Sequence, residues 1–252
     1  MSACPEWARR TAEEVRELIA RGSVGLWAIG STEQHGPHLV TGFDYFAAEH
    51  VVTRVAAQLG DTVLVLPTLS LGYSEHWQSF GATLSLRQDT LRRVIEDVCD
   101  SAEKAGLEHL VIVNGHAGNA AVATTVIGQY FDSRCEFHFL SYWDVFGESE
   151  LAAMMSRDSG VGHAGEFETS VALTLDGMVR APQVPASGAP YQRGVNSPGM
   201  YDAVRRVLIP DNGVVGDPGP ASAETGTSIL DLLTKRIESR CRELLTIERN
   251  KS

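Results

Sequence analysis

The chain has 252 residues, of which 43% are hydrophobic and 21% charged, and its formal net charge at pH 7 is −11. This length and composition are ordinary for a globular protein with a substantial core. The acidic balance argues against a general affinity for nucleic acid or for an anionic membrane, so neither is expected as a partner.

The sequence favours a cytoplasmic protein. The first 20 residues include EWARRTAEEVREL, which is too charged for a secretory signal. No apolar run approaches the roughly 20 residues that a membrane-spanning helix needs. The four cysteines are scattered and form no CxxC motif, which favours a reducing compartment over a disulfide framework.

Hydrophobic periodicity predicts that helices and strands alternate along the chain up to residue 143. Helices are predicted over residues 4–22, 44–60, 88–108 and 119–131. Strands are predicted over residues 23–30, 61–69, 109–115 and 135–143, with a small additional strand at 82–86. The alternation predicts an α/β fold, in which a single domain over residues 1–252 contains a mainly parallel sheet covered by helices on both faces.

The composition of the sequence changes after this alternating part. A helical run, FETSVALTL, follows the segment GHAGE. Residues 181–225 contain most of the prolines and many glycines, which predicts long loops that cover a site and not a flexible linker. A final helix is predicted over residues 227–249.

Three polar segments directly follow predicted strands. They are STEQHGPH (31–38), NGHAGN (114–119) and SYWD (141–144). The carboxyl ends of parallel strands meet at one edge of a sheet, where α/β proteins form their sites. Two further polar segments, GFD (42–44) and GHAGEFETS (162–170), open predicted helices. These segments are therefore expected to converge.

The residue types in these segments indicate a metal site. Borderline divalent cations prefer carboxylates and imidazoles, and the candidates are Glu33, His35, Asp44, His116 and Glu166. Three carboxylates carry more charge than one zinc ion needs, whereas two metals sharing a carboxylate would use it. Taken singly, Asp44 could cap a helix and Glu166 could be an acid favoured in a first helical turn. Convergence of all five favours the metal site.

Together the motifs resemble those of the creatininase (creatinine amidohydrolase) family. GSTEQHGPHL, YSEHWQSFGATLSL, VNGHAGN, SYWD, HAGEFETS and GVVGDP follow the family order from about residue 27 to residue 226. The resemblance implies one α/β domain, usually assembled into a homohexamer. It also implies two divalent metals per chain, Zn²⁺ and/or Mn²⁺.

The resemblance also implies roles for individual residues. Glu33, Asp44 and His116 would hold one metal, and His35 with the bridging Asp44 would hold the other. A metal-bridging water would attack the amide carbonyl, and His163 would give the leaving amine its proton.

One position departs from the creatininase pattern at the second metal. Creatininase has a glutamate ligand where this chain has Gly118. Glu166, in the HAG motif, is the expected replacement and hence a member of the catalytic centre. Glu168 is expected to be an outer partner of the ligands.

Other residues are expected to contact a small-molecule substrate. Ser74 and His76 belong to a loop near the family's pocket, although a polar turn would explain them equally well. Trp143 would form a substrate wall, although a tryptophan at a strand end is more often in the core. Creatininase has a second tryptophan and a glutamate where this chain has Ser159 and Gly162, so creatinine is not the expected substrate.

The predicted activity is hydrolysis of a C–N bond in a cyclic amide, a small amide or a formamide. Other members of the family cleave a C-terminal peptide or open a carbocyclic ketone ring, and the motifs do not choose among these reactions. A non-catalytic, metal-stabilised binding protein is the remaining alternative. Structural zinc sites are usually rich in cysteine, which disfavours this alternative for a carboxylate-rich cluster.

Overall fold

A computed structural model describes residues 5–156, 160–180, 183–185, 188 and 211–247. Four strands form one sheet in the order β2-β1-β3-β4, and every neighbouring pair is parallel. The strands are β1 (Val24–Ile29), β2 (Val63–Val65), β3 (His109–Asn114) and β4 (Glu136–Ser141). The predicted parallel α/β sheet is confirmed.

Helices cover both faces of this sheet. In chain order they are α1 (Ala12–Ala20), α2 (Phe43–Leu59), α3 (Gln88–Ala105), α4 (Ala120–Ile127), α5 (Glu148–Met154), α6 (Glu166–Leu173) and α7 (Ala223–Thr246). Side chains alternate along β1, so that Leu26 and Ala28 pack with α2, α6 and α7. Trp27 and Ile29 pack on the opposite face with α3 and α4. The two clusters form the core above and below the sheet.

Two of the predicted elements that are shorter in the structure end or break for an identifiable reason. The helix predicted over 4–22 is a 3₁₀ turn at Trp7–Arg9 followed by α1, because Thr11 and Glu14 form a capping box that starts a new helix. The strand predicted over 61–69 ends at Val65, shortly before Pro67, which cannot donate a ladder hydrogen bond.

The small strand predicted at 82–86 does not join the sheet. Leu84 and Ser85 form only isolated bridges, with Thr32 and Gly72 respectively. These bridges tie the segment to the loops after β1 and β2. Helix α5 was not predicted, and α7 begins at Ala223, four residues before its predicted start.

Most of the loop predicted over 181–225 lies outside the described residues, although its last part, 211–222, is described. In the part of the chain that the structure describes, no helix is both long and apolar enough to cross a membrane. Cys99, Cys135 and Cys241 are buried, and Cys99 and Cys241 are free thiols.

Candidate metal centre

Two loops and two helix N-termini at the carboxyl edge of the sheet bring acidic and imidazole side chains together. Glu33 and His35 lie in the loop after β1, and His116 lies in the loop after β3. Asp44 is in the first turn of α2, and Glu168 is in the first turn of α6. All five residues are at most 5% exposed. Such burial of charged groups requires partners of opposite charge.

Asp44 lies between the two imidazoles and faces each with a different oxygen. Its Oδ1 is 2.9 Å from His35 Nε2, and its Oδ2 is 3.1 Å from His116 Nδ1. Glu33 Oε1 lies 3.3 Å from the same His116 nitrogen. One carboxylate can therefore serve two neighbouring positions, which is the arrangement of a carboxylate that bridges two metals.

The distances between these atoms suit ligands of shared cations. Zinc–nitrogen and zinc–oxygen bonds of about 2.0–2.1 Å place tetrahedral ligands roughly 3.3 Å apart. The buried atoms His35 Nε2, Asp44 Oδ2 and Glu33 Oε2 also have no properly aligned hydrogen-bond partner. Atoms that approach closely without pointing at each other are expected when their lone pairs are directed at a third atom. The residues therefore fit a metal centre.

Backbone carbonyls hold the imidazoles in the orientation that such a centre needs. His35 Nδ1 lies 3.2 Å from the Glu33 carbonyl oxygen, and His116 Nε2 lies 2.9 Å from the Tyr73 carbonyl oxygen. A carbonyl only accepts, so these nitrogens carry the hydrogens and donate them. The other nitrogen of each ring is turned toward the carboxylates. This is the second-sphere hydrogen bond that metal-binding histidines usually make.

The two acids of the HAG motif have different surroundings in the structure. Glu168 Oε2 lies 3.7 Å from His35 Nε2, and among the described residues Glu168 forms a potential metal-binding group with His35 and Asp44. Glu166 Oε1 accepts a hydrogen bond from the Ser156 backbone N–H at 2.6 Å. Glu168 therefore lies beside His35 and Asp44, and the sequence-based choice of Glu166 as the ligand is revised below as a proposal.

The electrostatics of the cluster show that it lacks positive charge. Burial raises the pKa of Glu168 to about 8, an effect that His35 opposes and Asp44 reinforces. Burial alone would lower the pKa of His35, but Asp44, Glu168 and Glu33 raise it to about 10. The acidic neighbours likewise raise the pKa of His116 well above its usual value, against the effect of burial. Without cations, Glu168 thus tends to keep its own proton, and the acidic neighbours keep protons on the two imidazoles.

His163, the expected proton donor, lies beside this cluster. Its Nε2 lies 2.8 Å from the Gln34 carbonyl oxygen and 3.0 Å from the Gln34 side-chain nitrogen. We assign the hydrogen to Nε2 from the shorter contact, in which it donates to the carbonyl, and its Nδ1 lies 3.6 Å from Glu33 Oε1. Burial lowers the pKa of His163 well below its usual value, and the charge on His35 lowers it further. The ring is therefore neutral at neutral pH, with an unprotonated Nδ1 facing the carboxylates.

A cavity of about 320 Å³ opens onto these side chains. Trp143 and His76, both expected to contact substrate, are among its lining residues, as is Gly162. Ser74, in contrast, is fully buried, and its Oγ lies 3.1 Å from His116 Nε2. The structure therefore places Ser74 behind a candidate metal ligand and not in the cavity wall. Ser159 lies outside the described residues.

Several positioning residues were not identified from the sequence. Trp77 stacks on His163 with ring centroids 4.1 Å apart and also lines the cavity. Asn114 accepts the His116 backbone N–H at 3.1 Å and donates to the His116 carbonyl at 2.7 Å. Asn119 donates to Asn114 at 3.2 Å. The side chains of these two asparagines thus form the hydrogen bonds that shape the NGHAGN loop.

Gly115 explains how Asp44 reaches the site. A Cβ at this position would overlap the backbone carbonyl of Asp44, so only glycine lets the loop after β3 lie directly on the first turn of α2. That contact places His116 and Asp44 side by side.

These observations define an α/β protein whose sheet edge carries a buried carboxylate–imidazole centre suited to divalent cations. Residues 8–241 match the creatininase family, described as creatinine amidohydrolase. The chain belongs to this family, and it is a metal-dependent amidohydrolase.

Individual relatives agree with this assignment. The chain is 28% identical to a creatinine amidohydrolase of Pseudomonas putida over 257 residues, which cover 92% of this chain and 94% of that protein. It is 31% identical to a mycofactocin precursor peptide peptidase of Mycobacterium tuberculosis over 214 residues, 80% of this chain and 77% of that protein. A solved structure named "Creatininase Mn" superposes with a TM-score of 0.84 and 26% identity, covering 96% of this chain and 99% of that one.

Proposed function

We propose that the chain holds two divalent cations, Zn²⁺ and/or Mn²⁺, and hydrolyses a C–N bond in a cyclic amide, a small amide or a formamide. Glu33, Asp44 and His116 would hold one cation, and His35, Asp44 and Glu168 would hold the other. The observation that carries the proposal is the position of Asp44, whose two oxygens face two imidazoles at 2.9 and 3.1 Å.

The charge of the cluster supports two cations over one. Glu33, Asp44 and Glu168 together carry three negative charges when ionised, and all are buried. One divalent cation would leave one buried negative charge, and the hydroxide that hydrolysis requires would make it two. With two cations the site would carry one positive charge, which that hydroxide would neutralise. When bound, the cations would lower the pKa of a water molecule and polarise the amide carbonyl.

His163 is the residue positioned to move the proton. Its Nε2–H is held by the Gln34 carbonyl, so its Nδ1 is the atom that can accept a proton from the attacking water and pass it to the leaving amine nitrogen. Trp77 stacks on the ring and keeps its plane fixed. The low pKa of His163 keeps Nδ1 unprotonated before the reaction begins.

The cavity favours a small substrate. Its volume of about 320 Å³ is at the lower end of the range for small-molecule sites. Trp143 and His76 on its wall supply flat rings against which a planar amide could stack. We retain both as proposed substrate contacts, and we propose that Ser74 instead orients His116.

The experiment that tests the proposal separates metal binding from proton transfer. Metal content per chain and hydrolysis of a panel of cyclic amides and formamides would be measured for the wild type and for His163→Ala. We expect two metals per chain in both proteins and a loss of turnover of about 10²–10⁴-fold in the variant. His50→Ala is a matched control, because His50 lies on α2 outside the centre. Full activity of a metal-free preparation would refute the proposal.

A peptide substrate is the second candidate, favoured by the 31% identity to a peptide peptidase. The same panel would include short peptides with varied C-terminal residues. Cleavage of peptides with no turnover of small amides would select this candidate and leave the metal centre unchanged.

By resemblance to the family we also propose a homohexamer in the cytoplasm. The mass of the purified protein in solution would test the assembly.

A further inference from the structure

The opposite edge of the sheet, at the amino ends of β3 and β4, carries a second cluster of potential ligands. His109 is the first residue of β3 and Glu136 is the first residue of β4, and the two are paired in the parallel register. His138 follows Glu136 by two residues, so its side chain emerges on the same face of the sheet. The register therefore places two imidazoles and one carboxylate together.

We propose that His109, Glu136 and His138 form a third cation site, specific for borderline metals such as Zn²⁺ and separate from the candidate metal centre. His109 Nδ1 lies 3.4 Å from Glu136 Oε2, and His138 Nε2 lies 3.9 Å from the same oxygen. The three donor atoms lie within 4.8 Å of one another. Two imidazoles and a carboxylate are a known zinc ligand set, which leaves a fourth position for water.

The geometry needs only a small adjustment to accept an ion. Tetrahedral zinc ligands lie roughly 3.3 Å apart, so one pair already fits and the other donors must move closer. Half of the Glu136 side chain is exposed, so it has room to rotate toward the imidazoles. The exposed carboxylate also gives an ion a route from solvent, while His109 forms the buried floor of the site.

The unpartnered ring nitrogen of His138 favours binding of a cation. Its Nε2 is buried without a hydrogen-bond partner, so an ion would satisfy an atom that is otherwise left unpaired.

Arg240 is a nearby positive charge that opposes a cation at this site. It lies on α7, and its guanidinium is paired with Glu243 at 3.1 Å, which offsets part of its charge. A site with this neighbour should bind zinc more weakly than the carboxylate-rich centre. It would tie the edge strand β4 to β3, so occupancy should stabilise the fold by mass action.

The test counts zinc per chain in the metal-loaded enzyme while free zinc is raised. We expect the wild type to bind one more zinc than Glu136→Gln and His138→Gln, with turnover unchanged in both variants. His50→Gln, a histidine outside the cluster, is the matched control and should bind as many ions as the wild type. Glu136→Gln alters a half-exposed side chain and therefore remains informative if His138→Gln fails to fold.

A second measurement separates this site from the candidate metal centre. Asp44→Asn should lose metal from that centre and still show the zinc binding that Glu136→Gln removes. Equal zinc content in the wild type, His138→Gln and Glu136→Gln at every zinc concentration would overturn the proposal.

Discussion

Replacing the two acids of the HAG motif one at a time tests the assignment of the second cation. Glu168→Gln keeps the size of the side chain and an oxygen that can still accept the Ala164 N–H, which donates to Glu168 at 2.6 Å. It removes the negative charge that faces His35 at 3.7 Å. Glu166→Gln is the matched control, because its amide oxygen can still accept the Ser156 N–H.

The expected loss of metal affinity in Glu168→Gln follows from the number of donor groups at the second cation position. The proposed second position has three protein donors, and Glu168 supplies one of its two carboxylates. Loss of an outer partner alone typically costs 10–100-fold in metal affinity. Loss of a charged ligand should therefore cost about 100-fold or more, which corresponds to about 2.7 kcal/mol or more. For Glu166→Gln we expect a change of less than about tenfold.

The assay is competition for the metal against a chelator of known affinity, combined with elemental analysis of the dialysed protein. Glu168→Gln should retain one metal per chain under conditions in which the wild type and Glu166→Gln retain two. Loss of a metal from Glu166→Gln, with two retained by Glu168→Gln, would refute the assignment made from the structure. It would restore the prediction made from the sequence.

Two further predictions concern the loop after β3 and the buried thiols. Gly118→Ala would place a Cβ only 2.5 Å from His116 Nε2 and against the Tyr73 carbonyl that orients that ring. We expect metal binding to weaken about tenfold or more, measured by metal content. We also expect the free energy of unfolding to fall by about 1–3 kcal/mol, measured by thermal melting. Wild-type values in both measurements would contradict this explanation. Burial raises the pKa of Cys99 and Cys241 to about 12, so neither should react with a thiol reagent in the native protein at pH 8. Because both pKa values are raised, these thiols favour the fold below the ordinary cysteine pKa, and that stability should be lost as the pH rises toward 12. Rapid labelling of either cysteine without unfolding would refute the burial argument.

Much of the fold follows from local sequence patterns. The apolar runs at 23–30, 109–115 and 135–143 predicted three of the four strands closely, because buried parallel strands have continuous apolar sequences. The strand at 61–69 was predicted too long, because the apolar run continues past Pro67. In the structure the strand already ends at Val65. The single-domain boundary at 1–252 stays a prediction.

The acids of the HAG motif show where sequence reasoning stops. Glu166 and Glu168 are two residues apart on α6, so their side chains point about 200° apart around the helix. Both are acids in the first turn, and both suit the helix dipole. Which of them faces His35 depends on how α6 packs against α2 and α7. No local sequence pattern predicts that packing.

The sequence by itself determined the α/β class, the order of the motifs and the polar residues that follow β1 and β3, because these depend on neighbours along the chain. The tertiary structure decided which atoms meet. The carbonyls of Glu33, Tyr73 and Gln34 orient three imidazoles, yet a backbone carbonyl has no residue-specific pattern in the sequence. Likewise, His109 meets Glu136 only through the register of β3 and β4, which is set by packing between segments distant in the chain.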